Sequence, residues 1–170
     1  MEQHIQFLNR IQTGLRSNLN NMLSLDDYVI TSDIDFDLNI KNFIQNIFDE
    51  NKSKLYINND IIQWCGYDLN INDFLNIFNI YNIKYIKTDT IDYQNVKILN
   101  SHQCLTNDNK HVILGLDEFK NFIMSMDTLK GNRIRLYYFS LKDILLEYNA
   151  YVNAFKTRAK KISNQNKHIN

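Results

Sequence analysis

Residues 116–155 read LDEFKNFIMSMDTLKGNRIRLYYFSLKDILLEYNAYVNAF, and the fold is decided here. Phe119, Phe122, Ile123 and Met126 recur at helical spacing. A short polar break at 127–131 follows. Ile134, Tyr137, Tyr138, Leu141, Leu145, Tyr148, Val152 and Phe155 then continue at steps of mostly three or four. The spacing predicts two amphipathic helices, the second about six turns long. Lys130, Arg133 and Arg135 cluster where the first stops and the second begins.

Upstream of this pair, Ile5, Leu8, Ile11, Leu15, Leu19 and Met22 form a helical stripe, with Gly14 as a weak point. Asp26 and Asp27 read as turn or cap residues. Residues 32–39, SDIDFDLN, alternate polar and apolar as an extended lead-in. Ile40, Phe43, Ile44, Ile47 and Phe48 switch to a helix running to about Glu50. A short strand is expected at 54–57, and a short helix at 60–65 closed by Gly66. Another helix starts at Asn70 or Asn72 and shows the face Ile71, Phe74, Leu75, Phe78 and Tyr81. Residues 84–87 read as extended, and 91–114 as a β-hairpin turning at 106–110. From Ala154 the apolar stripe fades into a basic, frayed tail. About five helices and a small antiparallel hairpin or sheet, ending in two amphipathic helices, make an α+β fold. The expected divisions are an N-terminal helix at 1–24, the main domain at 25–155 and a flexible tail at 156–170.

The chain has 170 residues, 44% hydrophobic and 22% charged, enough for one packed core. No apolar run reaches the roughly 18 residues of a membrane span, and the N-terminus does not read as a signal peptide. Cys65 and Cys104 are therefore expected to be reduced intracellular thiols, and the protein is not expected to be secreted. Heavy use of Asn, Ile, Lys and Tyr, with no Pro, reads as an AT-rich genome signature. Net charge is zero but polarised. Residues 1–119 carry 9 Lys/Arg against 16 Asp/Glu, a net of −7, and residues 120–170 carry 10 against 3, a net of +7. An electropositive C-terminal half points to an anionic partner, unless the acidic half simply complements the basic one.

The basic joint suits phosphate. A helix N-terminus offers unpaired N–H groups, and Gly131 permits close backbone approach. Lys130 and Arg133 share a face, whereas Arg135 lies about 200° round from Arg133. Arg135 is therefore expected to pair with an acidic residue of the N-terminal half. A solvated basic turn is the competing reading of the joint. Lys156, Arg158, Lys160 and Lys161, with Lys167, either add electrostatic affinity or solubilise a tail. Tyr56, Trp64 and Tyr93 sit on apolar faces and are expected in the core rather than stacked on bases. Asp33, Asp35 and Asp37 open like a calcium loop, but Leu38 and Ile44 occupy the places that need Gly and Glu. Cys65, His102, Cys104 and His111 lack the spacing of a zinc set. No cofactor motif or catalytic motif occurs, so an enzyme is not expected.

KLYINNDIIQWCGY (54–67), IDYQNV (91–96) and VILGLDEFKNFIMSMDTLKGNRIRLYYFSLKDILLEY (112–148) carry a family resemblance. Together they resemble the N-terminal domain of insect large-DNA-virus proteins, of entomopoxvirus or iridovirus type. That domain is placed with the Bro-N, KilA-N and phage antirepressor group. Tyr56, Trp64, Gly66, Asp92, Tyr93, Phe119, Lys120, Thr128, Lys130, Gly131, Arg135, Tyr137 and Tyr138 stand at matching positions, and the likeness covers about residues 30–152. Lys142 stands where the group's pattern has Glu. Such proteins often carry a second domain after the long helix, and an activity residing there is expected to be absent here. The resemblance implies an intracellular DNA-binding regulatory module of an infected host cell. Its nucleic-acid contacts are expected at Lys130, Gly131, Arg133, Arg135, Lys142, Lys156, Arg158, Lys160 and Lys161. The alternative it implies is an antirepressor-like module that binds another protein or itself, with the N-terminal helix and the acidic half as its surface.

Overall fold

The computed structural model describes residues 1–48, 51–100 and 103–169. Among them are seven helices and four strands, an α+β fold. The helices are α1 (Glu2–Ser17), α2 (Leu25–Thr31), α3 (Leu38–Ile47), α4 (Asn59–Trp64), α5 (Ile71–Ile80), α6 (Leu116–Ser125) and α7 (Leu129–Ile169). The strands are β1 (Lys54–Tyr56), β2 (Ile86–Thr88), β3 (Val96–Lys97) and β4 (His111–Gly115). The chain forms two compact units. A central unit spans Asn39–Tyr137, and a terminal unit joins Met1–Leu38 to Tyr138–Asn170. No helix among the described residues is long and apolar enough to cross a membrane.

The central unit is a four-stranded sheet in the order β2-β4-β1-β3. The expected hairpin over 91–114 does not form. β4 pairs antiparallel with β1 and β2, whereas β3 runs parallel to β1. The apolar strands decide this. Leu55 and Tyr56 of β1 and Val112, Ile113 and Leu114 of β4 are buried, so they take the middle of the sheet and leave the short β3 at an edge. Asp92 holds the turn before β3, accepting from Gln94 N–H at 3.1 Å and from Asn95 Nδ2 at 2.7 Å. Tyr93 follows it in that turn and is 68% exposed, contrary to its expected place in the core.

Helix boundaries in this unit follow side-chain caps. Asn58 accepts from Ile61 N–H to open α4, and Asn70 accepts from Asp73 N–H to open α5. Gly66, at φ +89°, ends α4 in a left-handed C-cap. Phe74 and Phe78 of α5, Phe119, Phe122 and Ile123 of α6, and Met126 just after α6 are fully buried, as their spacing requires. Phe122 meets the rings of Phe74, Phe78 and Tyr81 edge-on. The expected end of α3 near Glu50 lies outside the described residues.

The terminal unit packs α1 and α2 against the part of α7 from Tyr138 onward. Its core is Ile11, Tyr28 and Tyr151, with Tyr28 and Tyr151 stacked at 4.8 Å between centroids. α1 is shorter than its stripe implies and turns a different face inward. Ile5, Leu8, Leu19 and Met22 are exposed, while Phe7, Ile11, Gly14 and Leu15 face the tyrosines. Gly14 is a contact rather than a weakness, since a Cβ there would meet Tyr28 Cε2 at 2.8 Å. Asp26 and Asp27 belong to the first turn of α2, capped by Ser24. The extended lead-in expected over 32–39 is shorter than that: Ser32 N–H bonds Tyr28 O, Asp33 takes φ 50° and Ile34 N–H returns to Val29 O, so its first residues form a helix C-cap, and α3 begins at Leu38.

Tyr28 lies within the core and donates to Glu147 Oε1 at 3.0 Å. Burial, and then the Glu147 charge, push its phenol well above the ordinary tyrosine range, and burial also raises the Tyr56 phenol. A raised native pKa gives stability that is complete below the unfolded value of about 10 and lost as pH rises through the native value. Urea midpoints are therefore expected to hold up to about pH 10 and to fall above it. A midpoint that stayed flat or rose there would contradict this sign.

Candidate nucleic-acid interface

The nine residues expected to touch nucleic acid separate into two groups. Lys130, Gly131, Arg133 and Arg135 lie in the central unit, and Lys142, Lys156, Arg158, Lys160 and Lys161 in the terminal unit.

Most of the first group is occupied internally. Thr128 opens α7, its Oγ1 accepting from Gly131 N–H at 3.1 Å. Gly131 is buried against the end of α6, where an added Cβ would stand 2.0 Å from Met126 O. Its lack of a side chain thus serves packing within the chain, not the approach of a ligand. Arg135 does not pair with an acidic residue of the N-terminal half. Its Nη1 donates to Met124 O at 2.9 Å and Met126 O at 3.0 Å, and its Nη2 bonds Asn132 Oδ1. The guanidinium satisfies the carbonyls at the α6 C-terminus, which carries partial negative charge. Lys130 places Nζ 4.9 Å from the centre of the Trp64 ring, and that ring stacks on Phe43 at 3.6 Å. Lys130→Ala is expected to cost about 1 kcal/mol in thermal or urea unfolding, as lost cation–π contact. Arg133 alone of the four is exposed and free of hydrogen bonds or ion pairs among the described residues.

The second group changes character because α7 does not fray. The helix runs to Ile169, so the expected flexible tail at 156–170 is ordered through its described residues. No Asp or Glu follows Glu147. At 100° per residue, Lys156, Lys160 and Lys167 fall within about 40° of one another, along about 16 Å of axis. All three are exposed, and none makes a hydrogen bond or ion pair among the described residues. Lys161 is exposed on an adjoining face. Arg158 points elsewhere, donating to Leu15 O at 2.7 Å and Leu19 O at 3.3 Å beside the Phe155 ring. It tethers the end of α1 and leaves the candidate set. Lys142 is exposed beside Asp143.

The inward seam of α7 also differs from the sequence stripe. Ile134, Tyr137, Ile144, Glu147 and Tyr151 are buried, whereas Leu145 is exposed. A charged residue at 147 obscured that seam. Phe139 and Leu146 sit outside it and are exposed. Their only signal in the sequence is that they miss both stripes. Among the described residues, no three His, Cys, Asp or Glu side chains come together to hold a metal. Of the four residues that lack zinc-set spacing, His102 lies outside the described residues. Cys65 and Cys104 are buried free thiols, with burial raising the pKa of both.

The MSV199 domain model matches residues 23–145, from α2 into α7. The chain belongs to the MSV199 domain family. It is 26% identical over 176 residues to MSV199 domain-containing protein 148R of Invertebrate iridescent virus 6, covering 94% of this chain and 42% of that protein. It is also 26% identical over 153 residues to MSV199 domain-containing protein 212L of the same virus, covering 83% and 42%. The chain thus spans about two fifths of the length of the curated relatives it matches. No solved structure matches it. The family is therefore one found in large-DNA-virus proteins. Its match takes in the Lys130–Arg135 joint and stops short of Lys156.

Proposed function

We propose that this MSV199 domain protein is a viral DNA-binding regulatory module acting through phosphate contacts inside the infected host cell. The observation that carries the reading is the Lys156–Lys160–Lys167 stripe. These are three exposed cations on one helix face, in a stretch of α7 without a single carboxylate. Cations at successive turns track a phosphate backbone, and their affinity comes from released counterions. Lys161, in the same unit, adds to the same electrostatic attraction. The kinship with the Bro-N, KilA-N and phage antirepressor group belongs to this proposal, as does the reading of a binding module rather than an enzyme.

Duplex binding titrated against salt tests it. Wild type is expected to show a steep negative dependence of log affinity on log salt. A Lys156→Ala/Lys160→Ala/Lys167→Ala variant is expected to lose about three units of that slope and on the order of 100-fold in affinity at 0.1 M salt. Lys130→Ala is expected to bind as wild type does, because Lys130 is engaged by Trp64. Absence of binding at low ionic strength would end the proposal, and an unaffected triple variant would end the assignment to α7. The alternative, an antirepressor-like protein-interaction module, draws support from Phe139 and Leu146, large apolar side chains standing in solvent. Partners captured equally well after nuclease treatment, with the lysine stripe removed, would favour it.

A further inference from the structure

Within the terminal unit, an open groove of about 550 Å³ runs between α7 and the residues that follow α1. Leu19 and Asn20 line one side, and Phe155, Arg158, Ile162 and Asn166 line the other. Leu19 is 68% exposed and Ile162 is 50% exposed, so apolar surface stands in water here. Arg158 is held by the Leu15 and Leu19 carbonyls and lies 5.0 Å from the centre of the half-buried Phe155 ring. The side-chain amides of Asn20 and Asn166 are exposed and make no hydrogen bond among the described residues. Lys167, a member of the lysine stripe, also lines the groove. At 100° per residue, Lys156 and Lys167 stand about 100–120° round α7 from Phe155, so the stripe runs along the rim of the groove.

We infer that the groove takes the unpaired bases of a single-stranded nucleic acid whose phosphates lie along the lysine stripe. Charge narrows the choice of occupant. After Glu147, α7 carries Lys and Arg but no Asp or Glu, so the same face of a second copy would be repelled. The occupant is an anion that also brings apolar surface and hydrogen-bonding edges. A single strand brings all three: a charged backbone, flat bases that stack on aromatic and guanidinium groups, and base edges for free amides. A duplex presents its phosphates to the stripe but keeps its bases paired and stacked inside. An acidic amphipathic helix matches the charge and the apolar surface, but its backbone groups are bonded internally and leave Asn20 and Asn166 without partners. This inference rests on the proposed function, since the same lysines hold the backbone.

Fluorescence anisotropy with oligothymidylate, oligouridylate and a duplex of the same length, each titrated against salt, provides the test. Wild type is expected to bind at least one of the single strands at least about tenfold tighter than the duplex at about 0.1 M salt, and the tighter of the two identifies the sugar. Ala159→Leu/Ser163→Leu fills the groove from two exposed positions of α7 without changing charge. That variant, its helix content checked by circular dichroism, is expected to lose the single-strand preference while its salt slopes and its duplex affinity stay as in wild type. The triple lysine variant is expected to weaken single-strand and duplex binding alike. Wild type that binds duplex as tightly as either single strand overturns the inference and leaves the proposed function standing. So does a single-strand preference that survives the filled groove, or an acidic amphipathic peptide that binds wild type more tightly than either single strand does. Failure to bind any of the three nucleic acids overturns both.

Discussion

Gly131→Ala is expected to cost the central unit at least about 3 kcal/mol, through a clash that a well-packed interior cannot absorb. The added Cβ would lie 2.0 Å from Met126 O, 2.9 Å from Met126 C and 3.0 Å from Met126 Cβ. Backbone, unlike the tip of a long side chain, cannot swing away. Met126 is itself fully buried, and its carbonyl accepts from Arg135 at 3.0 Å. Moving it would therefore strain the turn, uncover apolar surface and break the bonds that close α6. The loss is a large share of the 5–15 kcal/mol typical of a domain, so urea unfolding should show it directly. An alanine variant within about 0.5 kcal/mol of wild type, the range of neutral surface changes, would show that the α6–α7 joint is looser than this packing implies.

In the terminal unit the largest loss is expected from Arg10→Ala, and the reason is an asymmetry of burial. Arg10 Nε and Nη2 bond Glu147 Oε1 and Oε2 at 2.7 and 2.8 Å, a two-pronged pairing to a carboxylate only 4% exposed. Removing Arg10 strands that anion in the core beside Tyr28, at a cost of about 3–5 kcal/mol. Glu147→Ala leaves a cation that is still 30% exposed and reaches water, so its cost should be lower, about 2–4 kcal/mol. Replacing both by apolar residues, as Arg10→Met/Glu147→Leu, should recover most of the loss, because the unpaired charge is what destabilises. Urea midpoints of the two single variants and the double one form a cycle that measures the coupling. Equal costs for the two single variants would contradict the asymmetry.

Much of the fold is legible in single stretches. The α5 and α6 faces, the Asn58 and Asn70 caps and the Gly66 stop follow from periodicity and cap chemistry, which operate within a few residues. Strand pairing was not legible in the same way. The 91–114 segment reads as a hairpin locally, and only the demand of β1 for buried partners on both sides separates β3 from β4. Ser32–Ile34 open a segment that alternates like a strand yet cap a helix, because the backbone bonds of Ser32 and Ile34 return to Tyr28 and Val29.

The candidate site divides along the same line. Sequence alone determined that the positive charge gathers after Phe119 and that the joint between α6 and α7 carries Lys130, Arg133 and Arg135. It could not tell which cations are spent inside the protein. Arg135 is drawn to the carbonyls ending α6, Arg158 to those ending α1, Lys130 to Trp64, and Gly131 is needed where two backbones cross. Tertiary structure decided this because each of those partners is remote in sequence or set by a three-dimensional approach, while charge and periodicity are local properties. It also left Lys156, Lys160 and Lys167 in solvent on one face, by continuing a helix past Ala154, where the apolar stripe fades.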